Sequence, residues 1–213
     1  MSAPARRQEG LDDLLDLARA RRADYLRDLE ELVSVDSGSY SAGGVNEVAD
    51  WIERRLERIG FTVERVRLPS TPDGHRTGDA LVGRRRGTLP EAEGGRRILL
   101  AGHMDTVFEN GTAAARPFRT DGSTAYGPGV SDDKGGLLAG LTALEILGDL
   151  GVDAYDELVL LATPDEEIGS PASRPLIEAT AAGAHFGLGL ECARENGDLV
   201  IARKGVADFR LTV

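Results

Sequence analysis

The chain's 213 residues predict an α/β fold, a three-layer sandwich around a mixed, mostly parallel sheet. Three observations carry this. Apolar runs at Ile98–Ala101, Leu158–Ala162 and Phe186–Leu190 read as short buried strands. Segments with helical periodicity alternate with them, the pattern of strands connected through helices. Each run is followed within a few residues by acids, and ligands of open α/β sheets sit beyond the carboxyl ends of the strands.

Residues 1–10 read as a disordered tail. From Leu11 to about Val35 a helix is expected, because Leu14, Leu15, Ala18, Tyr25, Leu29, Leu32 and Val33 form an apolar stripe. A Ser/Gly loop follows. The second helix, about Val45–Ile59, rests on Val48, Trp51, Ile52, Leu56 and Ile59, with Gly60 as its stop. Phe61, Val63 and Val66 alternate with polar residues as in a half-buried strand. Ala80–Arg85 and Arg97–Gly102 are the next expected strands. An irregular segment then runs to about Asp132, and loops of that length usually carry function. Lys134–Leu150 is helical and apolar on most sides, so it is expected to pack on the sheet. Glu157–Thr163 reads as a strand. Pro171–Ala182 reads as a helix N-capped by Ser170. His185–Leu190, Leu199–Ala202 and Val206–Val213 complete the strands. The last run, ADFRLTV, has no terminating turn and reads as a chain cut in mid-strand.

Length allows one substantial core or two small ones. No apolar run approaches the ~20 residues needed to cross a bilayer, which excludes a helical membrane span. The start, MSAPARRQEG, lacks the apolar stretch of a secretory signal. The single cysteine, Cys192, excludes an internal disulfide and suits a reducing, cytoplasmic setting. A net charge of -11 argues against nucleic acid as a partner.

Four clusters carry the chemistry. His103 and Asp105, in LLAGHMDTV, are two residues apart, so in extended backbone they face one side. A carboxylate there can hold the second ring nitrogen of a metal-binding histidine. Asp132 and Asp133 follow Gly127, Pro128 and Gly129 and precede a helix. Acids at a helix start are common caps, but the glycines also permit close approach to a site. Glu166 and Glu167 are adjacent, so their side chains diverge; one can bind metal while the other acts as a general base. Glu191 closes the last apolar run. Several carboxylates and a histidine converging without a cation would repel one another, so a metal site and hydrolysis lead. His75 and His185 read as structural or solvated, and Cys192 as a small buried residue. A nucleophile-elbow Gly-x-Ser-x-Gly and a Walker-type phosphate loop are both absent from the sequence.

GHMDTV, YGPGVSDDKGG, TPDEEIGS and the LE at Glu191, in that order, resemble the zinc carboxypeptidase family. That family includes glutamate carboxypeptidase, acetylornithine deacetylase, succinyl-diaminopimelate desuccinylase and aminoacylase; HMDTV, AYGPG and DDKGG are most similar to the first. The resemblance runs from about Leu11 to Val213. It implies two zinc ions, with cobalt or manganese as alternatives. Asp132 would hold both, His103 and Glu191 one of them, and Glu167 the other. Asp105 would orient His103, and Glu166 would be the general base. Glu rather than Asp at position 191 implies carboxypeptidase, deacylase or desuccinylase chemistry. The substrate would be a small peptide or N-acyl amino acid cleaved next to a free carboxylate. Residues 11–204 would be the N-terminal part of the catalytic domain. Residues 205–213 would lead into a lid or dimerisation domain, after which a last histidine ligand is expected; the parent protein would be a homodimer through that domain. A metal-binding but catalytically inert chain is the competing expectation.

Overall fold

A computed structural model describes residues 3–193, 196 and 198–202. The first helical stretch forms two helices, α1 (Ala3–Ala20) and α2 (Arg22–Val33), separated at Arg21. α1 therefore takes in most of the segment expected to be a disordered tail. α3 (Ala42–Arg58) buries Val45, Val48, Ala49, Ile52 and Leu56, the three- and four-residue spacing of one helix face. Arg55 and Arg58 in its last turn suit the negative end of the helix dipole.

The next elements are β1 (Thr62–Val66), β2 (Ala80–Arg86) and β3 (Arg97–His103). The long irregular segment holds a one-turn helix, α4 (Thr112–Ala115), and a separate ribbon of β4 (Arg119–Thr120) with β5 (Ala125–Tyr126). Then come α5 (Lys134–Asp149), β6 (Glu157–Thr163), α6 (Arg174–Ala181) and β7 (Phe186–Gly189). Arg55 of α3 pairs with Glu145 of α5 at 2.5 Å and also with Asp28 of α2, so one guanidinium ties three helices together.

The main sheet runs in the order β1-β2-β6-β3-β7. β1/β2 and β2/β6 are antiparallel, while β6/β3 and β3/β7 are parallel. The sheet is thus mixed in equal parts rather than mostly parallel. The connections explain this. No helix joins β1 to β2, so they pair as antiparallel neighbours, whereas β3 to β6 crosses through α5 and β6 to β7 through α6.

Alternation along the strands feeds two cores. Leu81, Leu100, Leu158, Leu160 and Ala162 pack with residues of α2, α3 and α5. Val82, Leu99, Val159 and Leu161 face the other way, against Leu176 and Ile177 of α6. These are the three layers. β6 is buried along its whole length, as its uninterrupted apolar run implies. Leu160→Ala is expected to cost about 2–5 kcal/mol, because a fully buried leucine leaves a cavity that this rigid central strand cannot close. Urea unfolding measures this, and a loss under about 1 kcal/mol would contradict the packing.

The parallel strands β6, β3 and β7 all end on one sheet edge, with His103 beside Thr163 and Ala101 beside Gly189. This places three of the four acidic clusters there, as the strand-then-acid pattern predicts. Elsewhere the sequence reading needs correction. α6 starts at Arg174, with Ser173 rather than Ser170 in the cap position. Ser170 has φ +54 and belongs to the preceding turn. Pro175 sits in the first helical turn, where its fixed φ fits. Leu199–Ala202 is described but forms no strand. The expected strand Val206–Val213, and with it the segment 205–213, lies outside the described residues. Among the described residues, no helix is long and apolar enough to cross a membrane.

Candidate metal centre

His103 is the last residue of β3 and only 1% exposed. Its Nδ1 lies 3.0 Å from the Asp105 backbone oxygen and 3.3 Å from Asp105 Oδ1. Two acceptors there hold a proton on Nδ1, so Nε2 is the nitrogen that serves as ligand once its own proton is lost. Asp105 does more than orient this ring. Its Oδ1 accepts the Glu166 N–H at 3.1 Å, and its Oδ2 accepts the Glu167 N–H at 3.1 Å and the Ser39 hydroxyl at 2.7 Å. One fully buried carboxylate therefore joins the end of β3 to the turn after β6.

Nε2 of His103 lies 2.9 Å from Asp132 Oδ1, 3.6 Å from Glu191 Oε1 and 3.9 Å from Glu166 Oε2. Ligand atoms of His103, Asp132 and Glu191 all fall within 4.8 Å of one another. Tetrahedral zinc with bonds of ~2.0–2.1 Å places neighbouring ligand atoms about 3.3 Å apart. The observed 2.9 and 3.6 Å bracket that value, so this donor set fits the metal. Glu167 lies outside the three-residue group; its side chain feels the charge of Asp132 and lines a neighbouring cleft of about 480 Å³.

Local packing holds the loops in place. Asp133 is fully buried, and its Oδ2 accepts the His103 N–H at 3.1 Å, pinning the start of α5 to β3. A Cβ on Gly102 would come within 2.5 Å of that oxygen, so the approach requires glycine. Lys134 is also buried; its ammonium donates to Leu32 O at 2.9 Å and Val35 O at 2.6 Å, satisfying carbonyls at the end of α2. At Gly136 a Cβ would meet Leu190 O, so α5 lies directly against the chain leading from β7 to Glu191. Ser131 donates to Cys192 Sγ at 3.3 Å, linking the neighbours of Asp132 and Glu191. Cys192 is exposed, not buried as expected, because it lies past the end of β7 on the rim of the site.

The electrostatics fit a cation site. Burial pulls the His103 pKa down, but the Asp105 hydrogen bond and the charges of Asp105, Asp133 and Glu166 outweigh it and hold it up at about 10. Burial pushes Asp133 up to about 8, helped by Glu191 and Asp132 against the pull of His103. Glu166 and Glu167 are raised mainly by burial and then by neighbouring carboxylates. The proteins' own charges thus crowd anions around one imidazole, and Asp133 Oδ1 is buried without a hydrogen-bond partner among the described residues. A dication offsets this crowding.

The other histidines lie elsewhere. His185 accepts the Arg97 N–H at 3.0 Å and lies 3.4 Å from Glu91, at the opposite end of the strands. His75, in the loop before β2, makes a tilted ring contact with Tyr40, with centroids 4.9 Å apart. Sequence reasoning missed Ser39 and Lys134. Ser39 has no local signal, since its partner is 66 positions away. Lys134 had one: a lone lysine opening a helix that is otherwise apolar on most sides.

The description "Peptidase family M20/M25/M40" matches residues 99–205, half of the chain, including all four clusters. Carboxypeptidase G2 of Pseudomonas sp. (strain RS-16) is 35% identical over 201 residues, covering 94% of this chain and 46% of that protein. N-formyl-4-amino-5-aminomethyl-2-methylpyrimidine deformylase of Halalkalibacterium halodurans is 25% identical over 173 residues, covering 79% of this chain and 38% of that protein. The crystal structure of human carnosine dipeptidase 1 superposes with a TM-score of 0.69 at 19% identity, over 84% of this chain and 40% of that one. The chain spans about half the length, or less, of these relatives.

Proposed function

The chain belongs to Peptidase family M20/M25/M40, and from that premise we propose that it carries the metal-holding part of a dizinc hydrolase. The reaction is cleavage of a peptide or N-acyl amide bond next to a free carboxylate, as in carboxypeptidases of the glutamate carboxypeptidase type. The observation that carries this reading is the convergence of His103, Asp132 and Glu191 at the carboxyl edge of the sheet. His103 and Glu191 would hold one ion, Asp132 would be shared with a second, and Glu167 would hold that second ion. Zinc bound there supplies a Lewis acid that polarises the scissile carbonyl and lowers the pKa of water. Asp105 keeps the His103 imidazole aimed. Glu166, with its backbone N–H fixed by Asp105 and its carboxylate 3.9 Å from His103 Nε2, takes the proton from the attacking water and passes it to the leaving amine. The setting proposed is cytoplasmic.

A second reading is an N-acyl amino-acid deacylase or desuccinylase. The observation that favours it is the 25% identity to a deformylase, whose name denotes removal of an acyl group from an amine. Hydrolysis of a dipeptide series against an N-acyl amino-acid series separates the two.

Zinc titration tests the metal assignment. His103, Asp132 and Glu191 give three protein ligands, enough for one ion with water in a fourth position. The second position keeps only Asp132 and Glu167. The 213 residues are therefore expected to take up one zinc tightly and to hydrolyse amides negligibly. Because His103 is held up at about 10, it is protonated at pH 7 and loses that proton when it binds metal. Affinity should thus rise with pH. Calorimetry at pH 7 in two buffers of different ionisation enthalpy reads the released proton directly. Two tight ions with ordinary turnover, or uptake without proton release, would overturn this assignment.

A further inference from the structure

The segment after α2 is fastened to the histidine strand at several points. Ser37 O accepts the Thr106 N–H at 2.9 Å, and the Ser37 hydroxyl donates to Met104 O at 2.9 Å. Gly38 and Thr106 form an isolated parallel bridge. Within this zipped segment one side chain reaches further. The Ser39 hydroxyl, on a residue only 5% exposed, donates at 2.7 Å to Asp105 Oδ2. Asp105 in turn faces His103 Nδ1 and accepts the Glu166 and Glu167 N–H groups.

We infer that Ser39 is a positioning residue: through Asp105 it sets the aim of the His103 imidazole and the pose of the Glu166–Glu167 turn. A carboxylate rotates about its bond to Cβ unless its oxygens are pinned from more than one direction. The Glu166 and Glu167 N–H groups pin one oxygen each, but both belong to one turn, which can shift as a unit. Ser39 comes from a different segment, and its bond is the shortest that Asp105 accepts. It supplies the second direction. Removing it leaves Asp105 Oδ2 with one fewer donor and loosens the pose of the carboxylate between His103 and the turn.

The same loop borders a cleft. Gly38, Ser39 and Tyr40 line the 480 Å³ cleft together with Val107, Phe108 and Glu167. A substrate group entering that cleft therefore touches the backbone that carries Ser39. Ser39 thus belongs both to the lining of the cleft and to the hydrogen bonds behind His103. The role rests on the metal-site reading above, but part of its test does not.

The test compares Ser39→Ala, Ser39→Thr and Ser37→Ala in the 213-residue chain. Ser37→Ala loosens the same segment without touching Asp105, so it reports a merely structural effect. Two readouts are used: zinc affinity by competition with a chelating dye, and the imidazole resonances of His103 in the metal-free chain. Ser39→Ala should weaken zinc about tenfold, the lower end of the roughly 10–100-fold seen for groups behind a ligand. It should also shift the His103 ring resonances. Ser39→Thr, which keeps the hydroxyl, should restore both, and Ser37→Ala should lower thermal stability while changing zinc affinity less than about twofold. Zinc affinity of Ser39→Ala within twofold of the parent, an unmoved His103 resonance, or equal losses in Ser37→Ala would each overturn the role. If the parent takes up no zinc, the metal reading fails; an unmoved His103 resonance beside normal zinc uptake fails Ser39 alone.

Discussion

Asp132→Asn is expected to lower zinc affinity by at least about a hundredfold while leaving the metal-free protein about as stable as before. Asp132 supplies the shortest contact to His103 Nε2, at 2.9 Å, and is the residue shared by both proposed metal positions. A change behind a metal ligand costs roughly 10–100-fold, so losing a charged ligand itself should exceed that range. The stability consequence follows from linkage. Zinc at a hundred times its dissociation constant stabilises the parent by about 2.7 kcal/mol. After a hundredfold loss of affinity, the same zinc concentration gives only about 0.4 kcal/mol. Without metal the substitution has two opposing effects. It weakens the contact with His103, and it relieves the repulsion that Asp132 exerts on Asp133, Glu166 and Glu167. Asp132 is also half exposed, where substitutions usually stay within about ±0.5 kcal/mol. Thermal unfolding with and without zinc distinguishes the outcomes. A variant that unfolds early in both conditions would mark Asp132 as structural, and one that keeps its zinc shift would remove it from the ligand set.

The parts of this molecule that were legible in its sequence are those governed by short-range pattern. β6 occupies the predicted Glu157–Thr163, and β3 extends one residue past its prediction, to His103. Both are apolar runs buried in the middle of a sheet, where burial and propensity agree. The common edge that carries His103 and Glu191 was legible for a related reason, since parallel strands must end on one edge; Asp132 reaches it from the turn that opens α5. What was not legible depends on tertiary partners. The break at Arg21 has no glycine or proline to announce it; there Arg21 pairs with Glu145 and Asp149 of α5, a contact more than a hundred positions away. The equal mix of sheet directions follows from β2 pairing with β6, which no local pattern encodes. The role of Asp105 was read as orientation of one histidine, whereas the folded chain also hangs the Glu166–Glu167 turn on it. That turn comes from another crossover, so its partner becomes visible only when the strands are side by side.

Glu166→Gln is expected to keep the bound metal and to lower turnover by about 10²–10⁴-fold, in a form of the protein with measurable hydrolysis. That range corresponds to about 3–5 kcal/mol of lost transition-state stabilisation. The structure separates Glu166 from the ligands in two ways. Its carboxylate is the farthest of the three from His103 Nε2, at 3.9 Å, and it falls outside the group whose ligand atoms converge. Its backbone is nevertheless fixed by Asp105, so glutamine should occupy the same pose with the same shape and no basicity. The pH profile adds a sign. Burial, then the charges of Glu191, Asp105 and Asp132, raise the Glu166 pKa against the pull of His103. A base must be deprotonated, so kcat/KM should fall as pH drops through the Glu166 pKa, which its neighbours raise in the metal-free chain and a bound dication lowers. In Glu166→Gln that fall should vanish with the activity. Glu167→Gln is the contrasting variant: it should release the second ion and lose activity that excess zinc partly restores. Metal analysis beside initial rates across pH decides between the roles. Should Glu166→Gln strip metal while Glu167→Gln retains it, the two glutamates have exchanged duties, and the turn after β6 aims Glu166 at the metal and Glu167 at the substrate.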